Sequence, residues 1–494
     1  MTNHASRPTS SRLTHHVAII GGGITGLSTA WYLQQAAARD TLPLRYTVLE
    51  KSARWGGKIQ TDHVDGYGEQ PFVIERAGDA FLTAQKPWAM DLAYELRLDE
   101  QILPTNDANR SVYVLKAGEL LPIPAGLRLI VPTDREAFLA SSLLSDAGKQ
   151  RMLQEEQIAP RADDADESVA QFVRRRLGDE ALDMLAEPLL SGIYNADPAE
   201  QSILATFPRF RQLEQQYGSL IGGMQAAMQR AAGDRRLETG DRRRPVSAFI
   251  SFRDGTETLP SELAARLTGD MRLSTGVERI GWADSGAYVL QLDNGETLRA
   301  DSVVVTPPAR IAGPLLRPLA PAAADQLDQL RTVSTGVIFL AFHSADVQHP
   351  LDGFGVVIPR REGRPINAMT WMTTKFAHRA PEGYVLLRIF FGGVRTPQTM
   401  QLEDDDVLAV ARAELRDLMG IDAQPVFHRV YRWWNAQPQY DVSHLERMDA
   451  IDAALPARVY IAGSPYRGVG IPDCVRQGKE ASQRIVARMA RMGG

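Results

Sequence analysis

Apolar positions in this chain fall into patterns that change abruptly. Val17-Ala18-Ile19-Ile20 is an unbroken apolar run, which predicts a strand covered on both faces in a parallel sheet. From residue 24 to about 38, alanines and larger apolar residues recur at helical spacing. Tyr46-Thr47-Val48-Leu49 repeats the strand pattern and ends in Glu50. Near the far end, residues 457–461 predict a short strand that leads through a glycine-rich turn into a helix from about 474 to 492.

The stretch between reads differently. Residues 125–220 predict mostly helix, punctuated by Pro132, Pro160, Pro188, Pro198 and Pro208. Strand patterns return at 246–252, 271–273, 287–292 and 298–305, with Asp293-Asn294-Gly295 as a hairpin turn. More strands are expected at 336–342, 353–359, 367–373 and 384–393. The class is α/β, α+β overall, with a second sheet inserted between the segments that build the first. No internal repeat is visible. The polar residues 1–16 read as a frayed leader, and His15 and His16 as part of a solvated chain end.

Composition narrows the function. The 494 residues correspond to roughly three domains, and 44% hydrophobic content supplies a large core. There are 55 basic and 60 acidic side chains, a net charge of −5, which argues against nucleic-acid binding. One cysteine excludes an intrachain disulfide or a multi-cysteine metal site. No apolar run is long enough for a transmembrane helix. No metal is expected, and the setting reads as cytoplasmic. The runs Asp163-Asp164-Ala165-Asp166-Glu167 and Arg174-Arg175-Arg176 read as solvated faces.

The candidate chemistry begins at Gly21-Gly22-Gly23-Ile24-Thr25-Gly26, a GxGxxG between a strand and a helix, with Glu50 at the end of the next strand. Glycines there allow a tight turn and close approach of backbone to a pyrophosphate, and the acid accepts from a ribose hydroxyl. Arg54-Trp55-Gly56-Gly57-Lys58 follows and extends the fingerprint from dinucleotide to FAD. No second GxGxxG occurs, so a nicotinamide donor is not expected and an oxidase is. Cys474 reads as a packing residue, so the flavin is expected to be non-covalent.

Several longer stretches carry a family resemblance: ERAGDAFL at 75–82, NRSVYVLKAGELLPIP at 109–124, EPLLSGIYNADPAEQS at 187–202, GFGVVIPR at 353–360, AMTWMTTKFAHRAPEG at 368–383 and SPYRGVGIPDCVRQGKEA at 464–481. On these the chain resembles the oxygen-dependent protoporphyrinogen/coproporphyrinogen oxidases of haem synthesis, within the amine-oxidase-like flavoproteins. It departs from them at Ala77-Gly78, where a proline is common, and at Ala196-Asp197.

The resemblance implies three parts. Residues 1–103, 218–306 and 438–494 would form the FAD-binding domain. Residues 112–207 would form a helical, membrane-associating domain, and 104–111, 208–217 and 307–437 the substrate-binding domain. FAD contacts are implied at Gly21, Gly22, Gly23, Ile24, Thr25, Gly26, Glu50, Lys51, Gly57, Lys58, Ala77, Gly78, Asp79, Ala80, Val277, Trp433, Val469, Gly470 and Ile471. Substrate contacts are implied at Arg110, which would hold a propionate, and at Gly192, Phe354, Val357, Phe376 and Phe390.

No catalytic side chain is assigned, because flavin N5 would accept the hydride. The implied reaction is the six-electron oxidation of protoporphyrinogen IX to protoporphyrin IX, with O2 reduced to H2O2. Coproporphyrinogen III is the alternative substrate. A related amine oxidase or carotenoid desaturase, and a non-enzymatic FAD-stabilised membrane-associated protein, are the rival readings. Peripheral membrane contact, the neighbouring haem-pathway enzyme and a homodimer stay open as partners. Lys86 is a candidate for an additional cation at the pocket.

Overall fold

The structure, a computed structural model, describes residues 14–83, 85–237, 247–284 and 286–492. Most of the expected leader, and Val246 at the start of an expected strand, lie outside the described residues.

A five-stranded parallel sheet forms the first layer. Its order is Asp270–Arg272, Leu44–Leu49, His15–Ile20, Ser302–Val305, Val459–Ile461. The unbroken apolar run explains its central place. Val17 and Ile19 face a core shared with helix Ile24–Asp40, whereas Ala18 and Ile20 face a second core with Val303, Val305 and Ala312. A strand buried on both sides leaves no polar position to spare. Helix Ile24–Asp40 lies against helix Ile471–Met492. That helix begins at Ile471, three residues ahead of the expected Cys474. His15 and His16 belong to the first strand rather than to a solvated end. His16 is buried, with its ring nitrogens on the Arg299 carbonyl at 2.7 Å and the Thr47 hydroxyl at 2.9 Å.

The second layer is a seven-stranded sheet in the order Phe427–Pro438, Thr332–His343, Tyr384–Gly392, Ala368–Trp371, Gly355–Val357, Val112–Lys116, Glu119–Pro122. Its last two strands fall inside the segment 112–207 expected to be helical. Val112 to Val114 pair in parallel with Gly355 to Val357, so the apolar run here serves the sheet edge. The expected strand at 298–305 is two strands: Thr297–Ala300 joins a hairpin sheet, and Ser302–Val305 joins the first layer. The hairpin turn at Asp293-Asn294-Gly295 forms, with Gly295 at φ 86°.

The helical part has a polar interior that the sequence reading placed in solvent. Arg176 and Glu155 are both fully buried and paired, and Arg175 and Arg211 converge on buried Glu214. Helix Val169–Leu177 carries Arg175 and Arg176 on its inward side because Glu155, Glu167 and Glu214 wait there. Among the described residues no helix is long and apolar enough to cross a membrane.

Candidate active site

The glycine turn is set by close packing. A side chain at Gly26 would strike the Gly21 carbonyl, and one at Gly22 would strike Trp55 and Glu50. The turn delivers the N-terminus of helix Ile24–Asp40 with no side-chain cap and no acid in its first turn. Unpaired N–H groups at a helix start favour an anion. Glu50 accepts from the Gly22 N–H at 2.7 Å, the Ser52 N–H at 2.8 Å and the Ser52 hydroxyl at 2.7 Å. A carboxylate offers about four acceptor sites, so one remains for a ribose hydroxyl. Thr275 donates its N–H to the Glu50 carbonyl, which brings Val277 and Lys51 to the same end of the strand.

Gly57 lies against Gly23, and Lys58 follows it into the interior. The Lys58 ammonium donates to the Ala436 carbonyl at 2.9 Å and the Ser464 hydroxyl at 3.2 Å. Neither partner is charged, and burial pulls its pKa down. A buried ammonium without a carboxylate is costly unless an anion arrives. The uncapped helix start, the glycine contacts and this cation all fit the diphosphate of FAD. Trp433 donates its ring N–H to the Arg76 carbonyl at 2.8 Å, beside the segment Ala77–Ala80. Val469 packs on Tyr194, Ala196 and Tyr440, so the C-terminal loop that carries Val469, Gly470 and Ile471 meets the segment that follows Gly192. Cys474 is buried, and its thiol is pushed up to about 11 by that burial.

A second set of groups lies where the seven-stranded sheet meets Ala77–Ala80. Strand register puts Val357, Ala368 and Phe390 in one row on one face. Arg388 is two residues from Phe390 on the same strand, and its guanidinium lies 4.5 Å from the Phe390 ring centre. It donates to the Ala77 carbonyl at 2.5 Å and stands 4.0 Å from Asp79. Asp79 accepts from Lys375 at 2.7 Å. Burial alone would raise the Asp79 pKa; Lys375, Arg388 and Arg379 outweigh it and hold the carboxyl at about 2.

The remaining predicted residues divide. Phe354 donates its N–H to the Ser111 carbonyl at 2.7 Å, so it lies beside Arg110, which is exposed and without a charged partner among the described residues. Gly192 has nothing within 4 Å of where a side chain would project, at the end of a π-helical turn, Leu182–Ser191. Its negative φ, −57°, rules out a left-handed helix cap. Phe376 departs from expectation: it is fully buried against Met372 and Phe339, and presents no open face. Lys86 is tied to Asp473 at 2.6 Å and so is not a free cation. Lys375 and Arg388 were not anticipated. Arg388 had a signal, a lone charge in the apolar strand Leu386-Leu387-Arg388-Ile389-Phe390; Lys375 had none. A surface cavity of about 830 Å³ between Thr61, Glu100 and Arg266 contains none of the predicted residues.

The profile of flavin containing amine oxidoreductases matches residues 24–486. The chain belongs to this family. Within it, the chain is 37% identical over 471 residues to the coproporphyrinogen III oxidase of Bacillus subtilis (strain 168), covering 94% of this chain and 97% of that one. It is 30% identical over 491 residues to the chloroplastic protoporphyrinogen oxidase of Nicotiana tabacum, covering 96% and 86%. A crystal structure described as a protoporphyrinogen oxidase from Exiguobacterium sp. 255-15 superposes with a TM-score of 0.81 at 32% identity, over 96% and 98% of the two chains. Putrescine oxidase, at 18% identity and a TM-score of 0.69, shares the fold. The chain is therefore a flavoenzyme of the porphyrinogen oxidase group, an oxidoreductase whose cofactor is FAD.

Proposed function

We propose that this chain oxidises coproporphyrinogen III to coproporphyrin III, with FAD held non-covalently and dioxygen as the electron acceptor. FAD, held by the glycine turn, Glu50 and Lys58, would supply the two-electron redox chemistry, three oxidations per porphyrinogen with dioxygen as the final acceptor. The protein's part is to hold a large, flexible ring at one distance and tilt. Val357 and Phe390 offer an apolar wall, and Phe354 lies beside Arg110 to bring a guanidinium to the rim. Gly192 borders open space at the end of its helical turn. Arg110 would pair with a propionate through two parallel hydrogen bonds.

No side chain need act as a base in this reading. An efficient general base titrates near the working pH, and Asp79 is held ionised at about 2. Its negative charge instead anchors Lys375 and faces Arg388.

The observation that carries the substrate choice is the pair of cations, Arg110 and Lys375, on neighbouring segments. Three bacterial relatives at 32 to 37% identity, all named coproporphyrinogen III oxidase, support the same reading. Protoporphyrinogen IX, the substrate expected from sequence, is the second reading. It is favoured by the 30 to 31% identity to plant enzymes of that name and by the Exiguobacterium structure. Steady-state oxidation of the two porphyrinogens by one preparation decides between them. A higher kcat/KM for coproporphyrinogen III is expected, and a higher value for protoporphyrinogen IX reverses the choice.

A further inference from the structure

We infer that Lys375 is a second substrate-recognition cation, which selects porphyrinogens carrying carboxylates beyond those that Arg110 engages. This rests on the porphyrinogen reading above and adds a specificity residue to it.

Phe376 packs inward, and the Lys375 ammonium lies over its ring, 5.3 Å from the ring centre. Phe376 is fully buried among Phe339, Met372 and Ala380. Lys375 ends the turn Met372–Lys375, and its side chain keeps 18% of its surface accessible. Asp79, its partner, keeps 16%. Both belong to the junction between the segment Ala77–Ala80 and the seven-stranded sheet, where the cofactor and substrate contacts converge. So this segment offers the junction an ammonium rather than a phenyl ring.

The ammonium is held but not used up. Its single hydrogen bond is to Asp79 Oδ2 at 2.7 Å. An ammonium has three N–H donors, so two remain without a partner among the described residues. Asp79 must also serve Arg388, 4.0 Å from its other oxygen. Two cations therefore share one carboxylate, and Glu75 nearby is already engaged by Thr61, Thr256 and Arg379. At Asp79 itself two cations face one carboxylate, at a place that solvent reaches only in part. Such a site attracts a carboxylate more strongly than a surface lysine does, because screening is weak.

Its place in the chain matches this role. The Lys375 carbonyl accepts from the Asn106 N–H at 2.9 Å. That bond ties Lys375 to the stretch leading into Asp107–Asn109 and Arg110. Arg110 and Lys375 thus stand on two segments joined by backbone, each with unspent donors. A ring with two propionates satisfies one such station. A ring with a propionate on every pyrrole has more to place, and a second cation then discriminates.

The test compares Lys375→Met, Lys375→Arg and the double variant Asp79→Asn/Lys375→Met as FAD-loaded proteins. In Lys375→Met, Asp79 keeps Arg388 beside it, and the double variant shows whether any effect needs the Asp79 charge. Lys375→Met and the double variant should raise KM for coproporphyrinogen III roughly 10- to 150-fold, the loss of one charge-assisted hydrogen bond. KM for protoporphyrinogen IX should change less than about threefold, and Lys375→Arg should recover most of the loss. Quenching of flavin fluorescence by coproporphyrin III should weaken in parallel, independently of turnover. Equal changes for both substrates, or no change in the double variant, would overturn the inference while leaving the porphyrinogen reading intact. Wild-type protein that oxidises neither substrate would instead overturn that reading itself.

Discussion

Two clusters of buried charge stand in this molecule, and they are built on opposite plans. In the helical part, Glu155 accepts from Arg176 Nε at 2.8 Å, the Ser219 hydroxyl at 2.7 Å and the N–H groups of Leu220 and Ile221. The other donors of Arg176 reach the carbonyls of Ile158 and Gly218 at 2.8 and 2.9 Å. Within this pair nothing is left over, and it ties the start of helix Leu220–Leu237 to helix Val169–Leu177. At the junction of Ala77–Ala80 with the seven-stranded sheet, Asp79 is shared between Lys375 and Arg388, Arg388 Nε has no hydrogen-bond partner among the described residues, and Lys375 has two spare donors. Burial of charge alone does not mark a functional site. Spare hydrogen-bonding capacity on a group that solvent still reaches is what a ligand can use, since saturated pairs have nothing to offer it.

The largest effect should come from breaking the saturated cluster. Arg176→Met leaves a carboxylate buried with no cation, and should destabilise the protein by about 3–5 kcal/mol. Guanidinium melts of the FAD-loaded protein measure it. A loss below about 1 kcal/mol would erase the distinction between the two clusters. Asp79→Asn is expected to cost less, about 2 kcal/mol at neutral pH. The sign follows from its depressed pKa, about 2 against an ordinary 3.8. The ionised carboxylate stabilises the native state above the ordinary value, and that contribution fades as pH falls toward 2. The stability gap between wild type and Asp79→Asn should therefore stay flat from pH 7 to about 5 and narrow on further acidification; a widening gap would contradict it. Arg331→Ala supplies the small end of the scale. Arg331 pairs with Asp441 at 2.7 Å and with Glu200, but is about half exposed. Its loss should stay below about 1 kcal/mol by the same melts.

What the sequence disclosed follows the same divide. The glycine turn, Glu50 and the central strand were legible because their information is local. Backbone that must approach an anion admits only glycine, and a strand buried twice admits only apolar residues. Four strands of the second sheet were legible to within about four residues for the same reason, as at Tyr384–Gly392, whereas its long edge strand Phe427–Pro438 was not expected. Arg174 is exposed as expected, but Arg175 and Arg176 are not solvated, because their partners lie far along the chain: Glu155 and Glu214 are 21 and 39 residues from the arginines they hold. Phe376 and Lys375 show the limit at single-residue scale. The motif located the segment, but only packing decides which of two neighbours turns inward. Strand Val112–Lys116 was absorbed into a helical region because it pairs with Gly355–Val357, more than two hundred residues later, and Glu119–Pro122, which pairs only with Val112–Lys116, went with it.

The central claim is that this chain places a porphyrinogen against its flavin. Anaerobic stopped-flow mixing of FAD-loaded protein with coproporphyrinogen III tests it most directly. The account predicts that the flavin absorbance band bleaches at least as fast as steady-state turnover, and that admitted O2 restores it with formation of H2O2. An oxidised flavin spectrum that persists through the mixing, with FAD still bound and protoporphyrinogen IX equally without effect, would contradict it.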